Sequence, residues 1–469
     1  MRWQWTALCA AAGWLLAVSA HAQSSNALPT NTTTRPTASI PSDDGDAILT
    51  LDAALQRVIE IHPELRALRQ SDAALAAEIE HAGQRPARRL ELDLENGLGT
   101  GAASALDGSE LTLALSSLIE RGGKRQARIA VAEGQRELLL PQLQARELDL
   151  LGEVALRWLD AAAAAARADL AEQAAAERAT LAEATRQRAR AGALPRSVPL
   201  SAQAARQRSL AEAAQARRQA QAERRRMALL WGGAEEALAL APVDFSVLPV
   251  VPDRAAVLAA AGEHPQLRRL DAEERLREAR LRLAQGQARA DLEWRLGVRW
   301  LGDGNDWGLV GSLSLPLGSA TRAAPAIRAR AMELETLALE REAQVLSLNA
   351  MLGEVWAQLD EAVALAQALD HDVLPLLREA EAESARTFAA GASSYLEWAQ
   401  LQAERLQLQA VRLAAAVDAQ RAWVELQRLT GRGRFEGLGM GFPAAMSPAK
   451  RSLEAKPTTP SAAITEYTP

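Results

Sequence analysis

The 469-residue chain contains an internal duplication, which restricts its fold more than any other feature of the sequence. The segment His62–Arg66 returns in similar form as His264–Arg268, and Ala191–Ala193 returns as Ala390–Ala392. Both pairs are about 200 residues apart, whereas one unit of a solenoid spans about 20–50 residues. We therefore expect two copies of one large hairpin unit instead of an array of small repeats.

The composition favours long helices. Hydrophobic residues make up 48% of the chain but aromatic residues only 4%, so alanine and leucine, both strong helix formers, supply most of the apolar content. The 53 basic and 59 acidic residues give a net charge of −6, and no basic block suggests nucleic-acid binding. These values argue against a compact α/β enzyme and indicate a chain of very long helices.

The first 22 residues have the pattern of an export signal. Arg2 provides the positive start, Ala7–Val18 the apolar stretch, and Ala20–Ala22 a cleavage site before Gln23. The apolar stretch is too short to span a bilayer as a helix. The only cysteine, Cys9, lies in this segment, so a mature protein without disulfides is expected. Residues 1–22 are predicted to be a signal peptide, and the protein is predicted to be exported.

The repeats and the low-complexity ends divide the remaining chain. Residues 23–46 and 432–469 are rich in serine, threonine and proline, and are predicted to be disordered tails. The first repeat is assigned to residues 47–232 and the second to residues 254–431. Residues 233–253, which contain Gly233 and three prolines, are predicted to be an equatorial insertion between the two repeats.

Each repeat has the same predicted order: a helix, two short strands, a very long helix and a shorter closing helix. The predicted helices are 51–85, 122–190 and 200–231 in the first copy, and 254–289, 320–390 and 393–430 in the second. The longest would extend about 100 Å. Pro141 and Pro375 are expected to bend the long helices, and His62 and His264, each followed by proline, are typical of helix starts.

Four short segments alternate between apolar and polar residues, as strands with two different faces do. They are residues 90–95, 111–116, 292–300 and 307–315. Such segments, about 10 residues long with an apolar face and aromatic ends, are typical of transmembrane β-barrels; a sheet packed on a helix is the alternative. We predict the barrel, with six charged residues facing its lumen: Glu91, Asp93, Glu95, Glu293, Arg295 and Arg299.

The predicted strands of one chain cannot close a barrel, and an open sheet edge is not tolerated in lipid. Three chains supply twelve strands, whereas two supply eight, whose interior side chains would fill. We therefore predict a mainly α fold with a small β part: a homotrimer that joins a 12-stranded transmembrane barrel to a long helical barrel. Glu91, Asp93 and Glu95 would then contribute nine carboxylates to one pore and attract cations; a merely solvated strand face is the alternative.

From residue 51 to residue 431, the sequence resembles the TolC-type outer-membrane efflux family. The resemblance rests on the duplicated helix–strand–strand–helix–helix order and on local stretches. Arg190–Leu194 and Ala389–Ser393 are similar to the periplasmic hairpin tips of that family, and Leu313–Gly318 is similar to its strand-to-helix exit. Gly122–Arg128 is similar to a stretch typical of the cobalt–zinc–cadmium resistance branch.

The resemblance implies a passive outer-membrane channel with a long periplasmic portion, no enzymatic activity and no cofactor. Its partners would be a periplasmic adaptor and an inner-membrane pump of the proton-driven RND type. The hairpin tips, at the far end of the long helices, are predicted to contact the adaptor through Gly192, Ala193, Leu194, Gly391, Ala392 and Ser393. Glu397 occupies a place where family members constrict the tunnel, with Gln400 one turn further on.

The substrate that the resemblance suggests is a divalent heavy-metal cation. A channel of the same fold for drug efflux or type I protein secretion is one alternative. A soluble periplasmic coiled-coil scaffold is another, although it would not explain four lipid-patterned strands. The sequence contains no catalytic constellation and no His/Cys spacing of a metal site.

Overall fold

The computed structural model describes residues 48–96, 100, 108–231, 239–302 and 304–432. The predicted signal peptide (1–22), the predicted linker (23–46) and nearly all of the predicted C-terminal tail lie outside these residues. The first part of the predicted insertion, residues 233–238, also lies outside them.

The first copy of the repeat follows the predicted order. Its elements are α1 (Leu51–Ile61), α2 (Pro63–Ala82), β1 (Arg89–Glu95), β2 (Glu110–Ile119), α3 (Lys124–Arg190) and α4 (Ser197–Ala228), which a 3₁₀ turn (Leu229–Trp231) extends. With 67 residues, α3 is the longest helix of the described chain. At 1.5 Å per residue it extends about 100 Å.

The second copy repeats this order with two additional breaks. Its elements are α5 (Arg254–Ala260), a 3₁₀ turn (Ala261–Glu263), α6 (Pro265–Gln287), β3 (Leu292–Leu301), β4 (Asp306–Ser314), α7 (Ser319–Ala368), a π-helical turn (Leu369–Val373), α8 (Leu374–Ala390) and α9 (Tyr395–Leu429). The prediction of a mainly helical chain with two pairs of short strands is confirmed.

The predicted single helices 51–85 and 254–289 are wrong, because each is broken at a histidine. His62 and His264 have extended backbones, with ψ angles of 125° and 136°. Each precedes a proline, whose ring disfavours the helical conformation of the residue before it. The prediction that both histidines mark helix starts is confirmed, since each is the N-cap of the helix that follows.

The two prolines in the long helices behave differently. Helix α3 continues through Pro141 without interruption. Pro375 is the second residue of α8, directly after the π-helical turn Leu369–Val373. A proline removes one backbone donor and crowds the preceding turn, and in the second copy the wider π turn accommodates that disturbance.

The strands form one antiparallel sheet in the order β1-β2-β3-β4, so the central pair joins the two repeats. The register places Leu92 opposite Leu113, Leu113 opposite Val298, and Val298 opposite Leu309. An apolar row therefore crosses all four strands. Within the described residues, β1 and β4 each pair on one side only and leave two open edges.

The helices pack around several small cores along their length. Trp158 of α3 is completely buried beside Leu51, Met227 and Val424, where helices from both repeats meet. Elsewhere the seam between α3 and α4 consists of alanines, including Ala168 and Ala220. Small side chains allow two long helices to run close together, which explains the high alanine content.

None of the helices in the described part of the chain combines the length and the apolar character needed to cross a membrane.

Candidate functional site

The first surface of interest is the apolar face of the sheet, which is exposed. Leu90 is 73% exposed, Trp307 73% and Leu309 83%. The same face exposes further large apolar side chains on all four strands: Leu92, Leu94, Leu113, Leu115, Ile119, Leu296, Val298 and Leu313. A continuous apolar surface of this kind marks contact with a membrane or with another protein.

The opposite face of the sheet is polar, and its centre is buried. On β2 this face carries Thr112, Ala114 and Ser116, all less than 4% exposed. On β3 the residue opposite Ala114 is Gly297, and a Cβ atom there would lie 2.7 Å from the Cβ atom of Ala114. Small residues therefore form a strip along the middle of this face and leave room for long side chains to cross it.

Arg295 of β3 crosses that strip and reaches β1. Its guanidinium forms ion pairs with Glu91, at 3.2 Å between Nε and Oε2, and with Asp93. The hydroxyl of Ser116, on the strand between them, donates a hydrogen bond of 2.9 Å to Glu91. Three strands from both repeats are thus connected through one arginine.

Arg299, four residues further along β3, crosses the sheet in the same way. It pairs with Glu95, at 3.5 Å between Nη1 and Oε2, and with Glu110, and it donates a hydrogen bond of 3.0 Å to Thr112. The predicted lumen residues of β1 and β3 thus come together as ion pairs. Two arginines thus partly compensate four carboxylates, those of Glu91, Asp93, Glu95 and Glu110. Glu293, the sixth predicted lumen residue, is exposed and lies opposite Ser314.

The connection between the sheet and the long helices is held by Asp291. Its carboxylate pairs with Lys124 at 2.7 Å and accepts a hydrogen bond of 3.0 Å from the backbone N–H of Arg121. Burial opposes ionisation of this carboxyl, but the two donors outweigh it and hold the pKa of Asp291 below its ordinary value. The turn that leads from β2 into α3 is thereby fixed to the start of β3.

The stretch Gly122–Arg128, which resembles one branch of the family, has structural contacts at this turn. Arg125 donates a hydrogen bond to the carbonyl oxygen of Gly83, and Arg128 pairs with Glu120. These contacts join the start of α3 to the end of α2 and to the end of β2. They explain the basic residues of the stretch without a substrate.

The two predicted hairpin tips have the same backbone structure. Gly192 and Gly391 have φ angles of +74° and +85°, which favour glycine. The next residues, Ala193 and Ala392, donate backbone hydrogen bonds of 2.9 Å to carbonyl oxygens five residues earlier, the pattern of a Schellman helix end. These four residues are exposed.

The other two predicted tip residues, Leu194 and Ser393, are half-buried. The hydroxyl of Ser393 lies 3.0 Å from that of Thr387 and 3.3 Å from the carbonyl oxygen of Ser384. Ser393 therefore stabilises the second tip internally.

A contact between the two tips was not predicted from the sequence. Arg188, near the end of α3, donates a hydrogen bond to the carbonyl oxygen of Phe388, and its guanidinium lies 4.6 Å from the centre of the Phe388 ring. Phe388 in turn packs against Trp398, with ring centres 5.4 Å apart. The contact joins residues 200 positions apart, and no local pattern in the sequence indicates it.

Glu397 and Gln400, predicted to lie at the tunnel constriction, are both exposed in the first turns of α9. The side chain of Ser394 caps this helix by accepting a hydrogen bond of 3.2 Å from the backbone N–H of Glu397. Both side chains are therefore available to face a tunnel.

Further along α9, arginines connect this helix to its neighbours. Arg405 is 7% exposed and pairs with Glu177 of α3 and Glu381 of α8. Arg412 binds both carboxylate oxygens of Asp370, at 2.6–2.9 Å, within the π-helical turn. No local pattern in the sequence indicates these pairs, because they join different helices.

In the described part of the chain, no group of three or more His, Cys, Asp or Glu side chains is placed to hold a metal ion.

Comparison with known proteins identifies a family that part of the chain matches. Residues 54–233 match the family described as outer membrane efflux protein. No curated protein sequence matches the chain significantly.

Several solved structures have the same fold. The outer-membrane channel OprN is 17% identical with a TM-score of 0.67, and the match covers 82% of this chain and 90% of that one. CusC, whose structures concern folding and transmembrane channel formation, is 13% identical with a TM-score of 0.70, covering 81% and 91%. The open state of the MtrE outer-membrane channel of Neisseria gonorrhoeae is 16% identical with a TM-score of 0.64, covering 82% and 89%. At these identities the likeness establishes the fold.

Proposed function

We propose that this protein is the outer-membrane channel of a tripartite efflux system. It would conduct substrates passively from an inner-membrane pump and a periplasmic adaptor to the exterior, and it would catalyse no reaction. The observation that carries the proposal is the sheet, whose exposed face is apolar and whose buried face holds the charges. Sheets of soluble proteins have the reverse arrangement.

The open edges of the sheet supply the second argument. Strands β1 and β4 each leave a row of backbone donors and acceptors unpaired, and such a row in lipid costs several kcal/mol for each unsatisfied group. Pairing β4 of one chain with β1 of the next removes both edges. Three chains give a closed barrel of twelve strands, so a homotrimer is part of the proposal.

The hairpin tips are the proposed adaptor contact. Gly192 and Gly391 expose backbone at the turns that end α3 and α8, and the Arg188–Phe388 contact holds the two turns together. An adaptor would therefore meet both tips of one chain as a single surface. Glu397, exposed one turn into α9, is the proposed acidic residue of the constriction.

Divalent heavy-metal cations are the substrate class we propose. This part of the proposal rests only on the resemblance of Gly122–Arg128 to the metal-resistance branch. The structure adds no independent support for it, because the basic residues of that stretch have structural contacts and the acidic row of β1 is paired with arginines. Because ion pairs leave only part of the lumen charge free, the barrel would pass cations without holding them tightly. Substrate choice would then lie in the pump.

Two measurements test the proposal. The protein purified in detergent is expected to be a trimer by light scattering and to form ion-conducting pores in planar bilayers; a stable folded monomer or dimer would contradict the channel. A strain that lacks the protein is expected to lose tolerance to zinc, cobalt and cadmium. If it instead became sensitive only to organic drugs, the metal substrate would be wrong while the channel remained.

A further inference from the structure

Basic residues collect at the end of the sheet from which the helices extend. The segments that join strands to helices at this end, residues 84–88, 120–123, 288–291 and 315–318, contain four arginines. These are Arg85, Arg88, Arg121 and Arg289, which we call the arginine collar. The segments that join strands at the opposite end, residues 96–109 and 302–305, contain two aspartates and no lysine or arginine.

Within the described residues, no ion pair neutralises the positive charge of the collar. The two acidic residues of the same segments are already paired: Glu120 with Arg128, and Asp291 with Lys124 at 2.7 Å. All four collar arginines are exposed, and none forms an ion pair with another residue that the structure describes. The collar therefore presents four exposed guanidinium groups that are unpaired within the part of the chain that the structure describes.

Two of these arginines directly continue the apolar face. Arg88 lies two residues before Leu90, and Arg121 lies two residues after Ile119. Arg88 is the residue directly before β1, and Arg121 is the second residue after β2. Leu90 and Ile119 are both exposed apolar residues of the outward face. Each arginine therefore lies just past the end of the apolar surface, beside the part of the sheet that would meet lipid.

We propose that the arginine collar binds the phosphate groups of anionic phospholipids at the membrane surface nearest the helices. This inference rests on the proposed function, since it requires the apolar face to lie in a bilayer. The planar guanidinium binds phosphate oxygens through paired hydrogen bonds, and its aliphatic stem can lie against acyl chains while the charge reaches the headgroups. Because the collar has an excess of positive charge, it selects anionic over zwitterionic headgroups. It also fixes which end of the sheet faces the periplasm.

The apolar face provides its own reporter. Trp294, Trp300 and Trp307 share that face, and brominated acyl chains quench tryptophan fluorescence on contact. The trimer is reconstituted into vesicles of dioleoylphosphatidylcholine that contain either brominated phosphatidylglycerol or brominated phosphatidylcholine. The ratio of quenching gives the relative association constant of the anionic lipid at the protein surface.

The wild-type trimer is expected to prefer phosphatidylglycerol at low salt and to lose most of this preference in 0.5 M NaCl. The preference should fall about fivefold for each arginine removed in the variants Arg88→Gln and Arg121→Gln. The matched control is Arg190→Gln with Arg196→Gln, two exposed arginines near the far end of α3, about 100 Å away. It should keep the preference.

The outcomes separate the two proposals. If brominated phosphatidylcholine does not quench the wild-type protein, the face does not contact lipid and the proposed function fails. If both lipids quench equally, or if the double variant at the collar keeps the full preference while forming trimers, the collar proposal fails and the channel stands.

Discussion

Replacement of Leu92 by arginine tests the membrane assignment most directly. Leu92 is 62% exposed on the isolated chain and lies in the row that continues through Leu113, Val298 and Leu309. All four side chains point away from the ion pairs of the other face. If the row lies in the hydrocarbon near mid-bilayer, Leu92→Arg should cost about 2–4 kcal/mol per chain, or about 6–12 kcal/mol per trimer.

The control is Ser314→Arg, which introduces the same side chain on the opposite face. Ser314 is exposed on β4 and lies opposite Glu293, with which the new arginine can pair. Glu91 would be a poor control, because an arginine there would lose the hydrogen bond from Ser116 and the ion pair with Arg295, and would place two positive charges side by side.

Each variant is refolded into lipid vesicles. Two quantities are then measured: the yield of heat-resistant trimers, and the guanidinium concentration at the midpoint of denaturation. Leu92→Arg should lower the denaturation midpoint and the trimer yield strongly, whereas Ser314→Arg should remain close to the wild type. In a protein whose sheet lies in water, an arginine at an exposed position costs less than about 0.5 kcal/mol. Equal midpoints for the two variants would therefore refute the assignment of the apolar face to lipid.

Three further predictions follow from the helical part. Arg405→Gln leaves two glutamates without their partner and should lower the free energy of unfolding by about 2–3 kcal/mol. The loss is smaller than for a fully buried pair because one glutamate, Glu177, is 38% exposed. Arg386→Gln, which removes an exposed ion pair, should have little effect, and equal losses in the two variants would contradict this. Burial lowers the pKa of His264 below its ordinary value of 6.5, and the nearby Arg428 adds to this. Stability should therefore fall as the pH falls below 6.5, and His264→Gln should weaken that dependence in denaturation measured across this pH range; an unchanged dependence would contradict the assignment. Valine disfavours a φ of +85°, so Gly391→Val should distort the tip and its proposed contact with the adaptor. Metal tolerance of the strain should then be lost while trimers still form. Normal tolerance would show that this tip is not needed for the adaptor contact.

The order of elements and the two faces of the sheet could be predicted because both depend on local patterns. Alternation of apolar and polar residues identified all four strands, and glycines identified the tips at Gly192 and Gly391. The helix breaks at His62 and His264 were missed, although the prolines that follow were noted. A proline that starts one helix also prevents the preceding one from continuing into it.

The ion pairs could not be predicted, because they depend on which elements become neighbours. Alternation places Glu91 and Arg295 on the same face but does not say that one small-residue strand separates them. The small side chains of Thr112 and Ala114 on β2, together with Gly297 on β3, make the crossing possible. Their role becomes visible only when the strand order is known. The Arg188–Phe388 contact depends in the same way on two tips that lie far apart in sequence.

The two repeats differ in the continuity of their longest helices. In the first copy α3 is continuous, whereas in the second copy the corresponding helix contains the π-helical turn Leu369–Val373. Arg412 of α9 holds that turn through Asp370 and also donates a hydrogen bond of 2.8 Å to the carbonyl oxygen of Phe245. Phe245 belongs to the segment that joins the two copies. The first copy therefore keeps an uninterrupted long helix, whereas in the second copy the segment that joins the repeats helps to fix the π-helical turn.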